Sequence, residues 1–233
     1  MAEGCHLLSD EEVASFIDTG YHVVTPTVAP DVHAAITEQA DRMQQGGGVG
    51  TAAHQDLFSL HMIPAFDEVV RDPAVCGALQ SLLGSGYKLQ THRTNHYKQP
   101  HQGDQAFHVD GQFRNLDQGW FRNYRRWHRI RKLICFYYPH EVTTAPSAIV
   151  PRGQYLTRLT EEQEAEGESL FVPAGSFVLL HYSMWHRGTA ETLGERRVML
   201  KLLFDRTEEP AAPSWNHIGQ YQYRSGAPAQ SPR

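Results

Sequence analysis

The sequence predicts a mainly β protein with flanking helices, a sandwich or jelly roll whose helices pack against one sheet. Three observations favour this fold class. All clear helix signals lie within residues 1–83. From residue 88 onward, short segments rich in β-branched and aromatic residues alternate with proline, glycine and charged turns. No internal repeat or linker interrupts the 233-residue chain, so residues 1–210 are predicted to form one domain and residues 211–233 a poorly ordered tail.

Three helices are expected in the N-terminal part, over residues 9–20, 31–45 and 74–83. Ser9 followed by Glu12 is a capping-box pattern, in which both side chains accept hydrogen bonds from backbone N–H groups of the first turn. The first two helices run into glycines, which favour helix ends. Asp72 and Pro73 are suited to the cap and the first position of the third helix.

One strand is expected between the first two helices, over residues 21–25. The other strand candidates follow the helices and are residues 88–98, 133–138, 148–150, 169–172, 177–181 and 198–204. Each is short, is bounded by turn residues and carries side chains that pack well on a pleated surface. These segments supply the strands of the predicted sandwich or jelly roll.

Charge and composition argue against several classes of partner and location. A net charge of −5 is unlike that of a general nucleic-acid-binding protein. No apolar run approaches the roughly 20 residues of a membrane-spanning helix, and the first residues lack the pattern of an export signal. Cys5, Cys76 and Cys135 form no CxxC pair, which favours a reducing, cytoplasmic setting. We expect a small-molecule partner, while nothing in the sequence indicates the oligomeric state.

Three residues are candidates for a metal site: His108, Asp110 and His186. On a strand, residues two apart point to the same side, so His108 and Asp110 could bind one ion. His186 lies in a Trp-His-Arg-Gly motif and is favoured over His181 as the third ligand. Two imidazoles and one carboxylate leave three positions of an octahedral ion open, which is typical of non-haem Fe(II) oxygenases. An isolated H-x-D pattern among 14 histidines also fits a surface or capping role.

Arg197, eleven residues after His186, is a candidate for binding a co-substrate carboxylate. A 2-oxoacid that chelates iron through one carboxylate and its keto oxygen leaves a second carboxylate, and the planar guanidinium fork suits that group. After His186 the chain turns and returns as a strand, and antiparallel pairing is expected to bring Arg197 near the metal. Arg196 and Arg197 alternate in direction, so only one can point inward. Thr189 could supply a hydroxyl to the same carboxylate, or could be a turn residue.

A basic, aromatic segment follows the H-x-D pattern, over residues 114–132. It holds seven lysine or arginine residues against one acid, together with four large aromatic residues. Such a segment could grip a carboxylate or phosphate of the substrate, which favours an anionic metabolite. A solvated insertion whose aromatic side chains pack onto the barrel explains the same pattern.

Several segments together resemble the phytanoyl-CoA dioxygenase-like family of Fe(II)/2-oxoglutarate oxygenases. The segments that carry the resemblance are residues 7–21, 89–92, 97–100, 107–111, 136–139, 149–154 and 185–197. The resemblance covers residues 7–204 and is most specific in the last segment. It implies a cupin-like double-stranded β-helix with Fe(II), 2-oxoglutarate and O₂. It also assigns His108, Asp110 and His186 to the iron, and Arg197 to the co-substrate.

The function expected from these residues and this resemblance is a dioxygenase that hydroxylates an unactivated C–H bond of a small metabolite, with release of succinate and CO₂. Asp110 argues against halogenation, since related halogenases place a small residue there and let chloride bind the iron. Desaturation, epimerisation or cyclisation begin with the same hydrogen abstraction and stay open. Two further alternatives are a catalytically silent metal- or ligand-binding β-helix protein, and a cupin-like Zn or Mn protein that uses no oxoacid.

Overall fold

The computed structural model describes residues 4–46, 50–51, 54–56, 62–110 and 130–207. Within these ranges the chain forms five α-helices and ten β-strands. The helices are α1 (Asp10–Thr19), α2 (Pro30–Gln45), α3 (Phe66–Arg71), α4 (Pro73–Leu83) and α5 (Glu161–Ala165). The strands are β1 (Tyr21–Val24), β2 (Gly50–Thr51), β3 (His54–Asp56), β4 (Tyr87–Lys98), β5 (Lys132–Tyr137), β6 (Ser147–Ile149), β7 (Glu168–Ser169), β8 (Phe177–His181), β9 (His186–Gly188) and β10 (Arg197–Arg206).

The strands form two antiparallel sheets that face each other. The large sheet has seven strands in the order β1-β8-β5-β10-β4-β3-β2, and the small sheet has three in the order β7-β6-β9. Every ladder is antiparallel. The small sheet covers one face of the large sheet, and the helices α2, α3 and α4 cover the other. The predicted jelly roll with helices packed against one sheet is confirmed.

The large sheet is buried on both faces because its side chains alternate between two hydrophobic clusters. Leu133, Cys135 and Tyr137 of β5 point towards the helices, where Leu79 and Phe66 lie in the same cluster. The intervening residues of β5 and the following loop point between the two sheets; they are Ile134, Phe136 and Tyr138. This burial on both faces explains why the sequences of the central strands are nearly continuous runs of apolar residues.

The expected caps are present where the sequence placed them. The hydroxyl of Ser9 accepts a hydrogen bond from the Glu12 N–H, and the Glu12 carboxylate accepts one from the Ser9 N–H. Gly20 closes α1 with φ +86°, in the left-handed region that glycine adopts readily. The Asp72 carboxylate accepts from the N–H of Ala74 at 2.9 Å and opens α4. Local side-chain chemistry determined these boundaries.

Several short elements were not predicted. They are α3, α5, β2, β3 and β9, and the expected strand over residues 169–172 is paired only over Glu168–Ser169. These elements are two to six residues long, so each shows too few side chains for a helical or alternating pattern. Their structure depends on the other segments of the same chain against which they pack or pair.

Some of the expectations concern residues that the structure does not describe, and others are not tested by it. The tail 211–233 and most of the basic aromatic segment, residues 114–129, lie outside them. The single-domain boundary at residue 210 and the cytoplasmic setting also stay predictions. The three cysteines form no disulfide. Among the helices that the structure describes, none is long and apolar enough to cross a membrane.

A buried carboxylate joins three loops: the one after β4, the one before β6, and its own loop between β9 and β10. Glu191 is only 3% exposed, and its carboxylate accepts hydrogen bonds from the N–H groups of His101 at 2.8 Å and Gly194 at 3.0 Å and from the Thr144 hydroxyl at 2.9 Å. Burial alone would raise the pKa of Glu191, but the backbone donors of His101 and Leu193 and the Thr144 hydroxyl lower it from 4.5 to about 2.

We predict that Glu191→Gln destabilises the fold and removes part of its pH dependence. Because the pKa in the folded state lies below 4.5, the ionised carboxylate stabilises the fold fully above that pH, and this contribution is lost as the pH falls towards about 2. Urea denaturation across this range measures the effect. The wild type should lose unfolding free energy more steeply than the variant, whereas Glu141→Gln, at an exposed position, should behave as wild type. Equal pH slopes for wild type and Glu191→Gln would contradict this role.

Candidate metal centre

The two candidate histidine ligands are brought together by a pair of backbone hydrogen bonds. The N–H of His108 donates to the carbonyl of His186 at 3.0 Å, and the N–H of His186 donates to the carbonyl of His108 at 3.0 Å. This antiparallel bridge adds the His108 segment to the small sheet beside β9. The two imidazole rings lie on the same side, with 4.5 Å between their centroids.

The H-x-D segment differs from the expected regular strand. Only His108 is paired, and Asp110 already lies in a turn. The ligand atoms of His108 and Asp110 nevertheless lie in one cluster with that of His186, so a complete strand is not needed to bring them together. Gly111, the residue after Asp110, lies outside the residues that the structure describes.

The three candidate ligands form one cluster. One ligand atom from each of His108, Asp110 and His186 lies within 4.8 Å of the other two, and Asp110 Oδ1 is 3.6 Å from His186 Nε2. We call these residues the metal triad. Across all described residues, no other group of three His, Cys, Asp or Glu side chains meets this criterion. His181, the alternative third ligand, accepts a hydrogen bond at Nδ1 from the Ser183 N–H at 3.1 Å and is not in the triad.

Backbone carbonyls orient both imidazoles for metal binding. His108 Nδ1 is 3.0 Å from the carbonyl of Ala106, and His186 Nδ1 is 2.9 Å from the carbonyl of Met184. A carbonyl only accepts, so each Nδ1 carries the proton and each Nε2 keeps its lone pair. Metal-binding histidines commonly have this outer hydrogen bond, which sets the tautomer and the ring orientation. The donor set therefore fits a divalent cation.

The electrostatic environment of two triad residues, His186 and Asp110, favours the protonation states that bind metals. Burial, together with the nearby charge of Lys201, lowers the pKa of His186 well below 6.5, so its imidazole is neutral. Burial would raise the pKa of Asp110, but the Lys201 ammonium, with Nζ 2.6 Å from Oδ2, lowers it. A neutral imidazole and an ionised carboxylate are the forms that coordinate a metal.

Arg197 and Arg196 point to opposite sides of β10, as their alternation requires. Arg196 donates two hydrogen bonds of 2.7 Å to the Asp41 carboxylate on α2. Arg197 is 4% exposed and points between the sheets, where its Cζ is 6.0 Å from the ring centroid of Tyr138. Its Nε and Nη1 have no hydrogen-bond partner among the residues described. Buried donors of this kind normally have a partner, so the guanidinium fits an anionic ligand.

The position of Arg197 has a different cause from the one expected. The strands β9 and β10 do not pair with each other, because β9 belongs to the small sheet and β10 to the large sheet. The expected antiparallel pairing after His186 is therefore wrong. Arg197 and the triad face each other across the space between the sheets, and a cavity of about 350 Å³ separates them.

Side chains from both sheets line this cavity. The triad lies at one wall, and the opposite wall is formed by alternate residues of two paired strands, which are Arg197, Met199 and Lys201 of β10 and Thr94, His96 and Lys98 of β4. Phe136 and Ser147 also line the cavity. The cavity is thus lined by strands of both sheets and presents several cations beside the triad.

Thr189 lies beside the cavity wall, and its hydroxyl is engaged locally. The hydroxyl donates to the carbonyl of Pro146 at 2.8 Å, and the Thr189 N–H donates to the same carbonyl at 3.0 Å. Ser147, also on the small-sheet side, lines the cavity, and its hydroxyl accepts a hydrogen bond from the Tyr138 hydroxyl at 2.8 Å. Sequence reasoning missed Ser147, because its orientation depends on which sheet its short strand joins.

Lys98 and Lys201 were also missed. Lys201 lies four residues after Arg197, so strand alternation alone predicts that both share a face. Lys98 lies directly opposite Arg197 in the β4–β10 ladder, and this register is not deducible from either segment alone.

No protein-family model matches this chain, and no curated protein matches it. Solved structures do match. EctD from S. alaskensis, crystallised with 2-oxoglutarate and 5-hydroxyectoine, is 18% identical, with a TM-score of 0.68 over 85% of this chain and 76% of that chain. The nickel complex of ThoJ, described as a non-heme monooxygenase, is 16% identical, with a TM-score of 0.63 over 85% and 79%. AviO1 from Streptomyces viridochromogenes Tue57 is 14% identical, with a TM-score of 0.63 over 90% and 100%. These likenesses establish that the chain has the cupin-like jelly-roll fold.

Proposed function

We propose that the protein is an Fe(II)- and 2-oxoglutarate-dependent dioxygenase that hydroxylates an unactivated C–H bond of a small molecule. The observation that carries this proposal is one cavity with two carbonyl-oriented imidazoles and a carboxylate at one wall and the buried Arg197 guanidinium at another. The crystal structures of EctD with bound Fe and with 2-oxoglutarate, in the same fold, support the choice of metal and co-substrate. The resemblance to the phytanoyl-CoA dioxygenase-like family supports it as well.

The metal triad, His108, Asp110 and His186, would hold the ion through three adjacent ligands. This arrangement leaves three positions of an octahedral ion for other ligands. When bound, Fe(II) with 2-oxoglutarate and O₂ would supply the oxidant for the C–H bond, with one oxygen atom entering the product hydroxyl, the other entering succinate, and CO₂ leaving. The carbonyls of Ala106 and Met184 keep the imidazoles oriented throughout, because they hold the proton on each Nδ1.

Arg197 would bind the carboxylate of 2-oxoglutarate that does not reach the metal. Its buried guanidinium is costly without an anion, and a carboxylate can accept two parallel hydrogen bonds from it. Burial also lowers the pKa of Arg197, which reflects the cost of its charge in this position. The Ser147 hydroxyl and the Lys98 ammonium line the same cavity and can add hydrogen bonds to the co-substrate.

Apolar side chains in the cavity would keep water away from the reacting atoms. Phe136 packs edge-on against the His186 ring, with 5.6 Å between centroids, and Met199 lies between Arg197 and Lys201 on β10. Excluding water strengthens the polar contacts within the site. Hydroxylation, desaturation, epimerisation and cyclisation use the same residues up to hydrogen abstraction, so the product formed distinguishes among them.

We predict that His186→Ala abolishes metal binding and turnover together. Loss of a ligand should raise the Kd for Fe(II) by more than the ~10–100-fold that loss of an outer-shell partner costs. Anaerobic metal titration and succinate release under O₂ measure the two effects. His6→Ala, at an exposed position away from the triad, is the matched control and should retain both. Equal metal affinity in the two variants would contradict the assigned triad.

We also predict that adjacent arginines of β10 differ in their effect on the co-substrate. Arg197→Met should raise the Kd for 2-oxoglutarate about 10–100-fold, since a hydrogen-bonded charge pair contributes about 1.5–3 kcal/mol. Arg196→Met should leave this Kd unchanged, because Arg196 contacts Asp41 on the helical side. Calorimetry on the metal-loaded protein compares the two. Similar losses of affinity in both variants would indicate a general effect of the substitutions on the fold.

A further inference from the structure

Lys201 is a buried cation that the proposed co-substrate does not require. It is 5% exposed and lines the cavity, and its Nζ is 2.6 Å from Asp110 Oδ2. It lies four residues from Arg197 along β10, which corresponds to about 13 Å of strand. A 2-oxoglutarate bound through one end to the metal and through the other to Arg197 has no third anionic group for Lys201.

The cavity carries more positive charge than the metal and co-substrate can balance. Among its described lining residues, the basic side chains are Lys98, Arg187, Arg197 and Lys201, and the one carboxylate is Asp110. Lys98, Arg197 and Lys201 are buried, so once a divalent metal and the dianionic co-substrate cancel each other, the buried cations exceed Asp110 by two positive charges. Buried charges require partners, and the proposed reaction has one further component, the substrate.

Among these four cations, Lys201 is the best placed to hold the substrate beside the metal. Lys98 Nζ donates to the carbonyl of Gly103 at 2.5 Å, and the Arg187 Cζ lies over the Phe107 ring, 4.6 Å from its centroid. Lys201 directly contacts a triad carboxylate. An ammonium has three N–H donors, and Asp110 uses one of them.

We propose that the substrate is a small carboxylic acid and that Lys201 binds its carboxylate. This inference rests on the proposed dioxygenase function and names its substrate class. An acid held by Lys201 has its first carbon atoms next to the metal, because the ammonium lies within hydrogen-bond distance of a metal ligand. The cavity of about 350 Å³ is at the lower end of ligand pockets, which favours a compact acid over a bulky one.

The experiment compares acids with their uncharged amides on protein loaded with Ni(II) and 2-oxoglutarate, which does not turn over. The probes are short straight-chain and aryl carboxylic acids, each paired with its amide, and calorimetry measures binding. At least one acid should bind about tenfold or more tightly than its amide, as expected for a hydrogen-bonded charge pair. Lys201→Met, compared with the wild type at saturating Ni(II) and 2-oxoglutarate, should remove this preference, while Lys201→Arg should retain part of it.

Lys132→Met is the matched control, because Lys132 pairs with Asp205 at 3.4 Å and does not line the cavity. It should keep the wild-type preference. Two results would overturn the proposal: no acid preferred over its amide, or a preference that survives in Lys201→Met.

Failure of the inference and failure of the proposed function give different results. A wild-type protein that binds neither the metal nor 2-oxoglutarate refutes the dioxygenase, whereas one that binds both without preferring acids refutes only the role of Lys201. Should Lys201→Met not fold, Lys201→Gln replaces it, and the acid–amide comparison on the wild type decides in either case.

Discussion

The candidate site depends on one backbone pairing, the antiparallel bridge between His108 and His186. These residues are far apart in the sequence, and two hydrogen bonds of 3.0 Å hold them opposite each other. Residues paired in this way point to the same face of a sheet, so both imidazoles face the cavity. Asp110, two residues after His108, lies in the turn that follows the bridge and brings its carboxylate to the two imidazoles. Without the bridge, nothing else in the described backbone would bring the ligand atoms of His108 and His186 close enough to bind one ion.

The strand β10 links the stability of the fold to the cavity. It lies between β5 and β4 in the large sheet, and its residues alternate between two environments. Val198, Leu200 and Leu202 belong to the core beneath the helices, while Arg197 and Lys201 face the triad. A shift of register by one residue would exchange these sets and bury charges in the core. Burial of the apolar side chains on one face of β10 therefore fixes the register that points the charged side chains on the other face into the cavity.

Local chemistry was readable from the sequence, and long-range pairing was not. The capping residues Ser9 and Asp72 have their effect within one helical turn, so they mark helix starts without knowledge of the fold. The inward direction of one arginine at 196–197 followed from alternation. The strand β9 is three residues long and exists through its partners, and Ser147 faces the cavity because of its place in the small sheet. The existence of β9 and the orientation of Ser147 both depend on the register between segments that are distant in the sequence.

The most direct test is an anaerobic titration of the Fe(II)-loaded protein with 2-oxoglutarate, followed by visible absorption. A dioxygenase should develop a charge-transfer band that saturates with one equivalent of co-substrate, because the triad leaves adjacent positions for a chelating oxoacid. The band should form before any O₂ is admitted. Tight binding of Fe(II) or Zn(II) at the triad without any such band would refute the proposed dioxygenase and would indicate a cupin-like metal protein that uses no oxoacid.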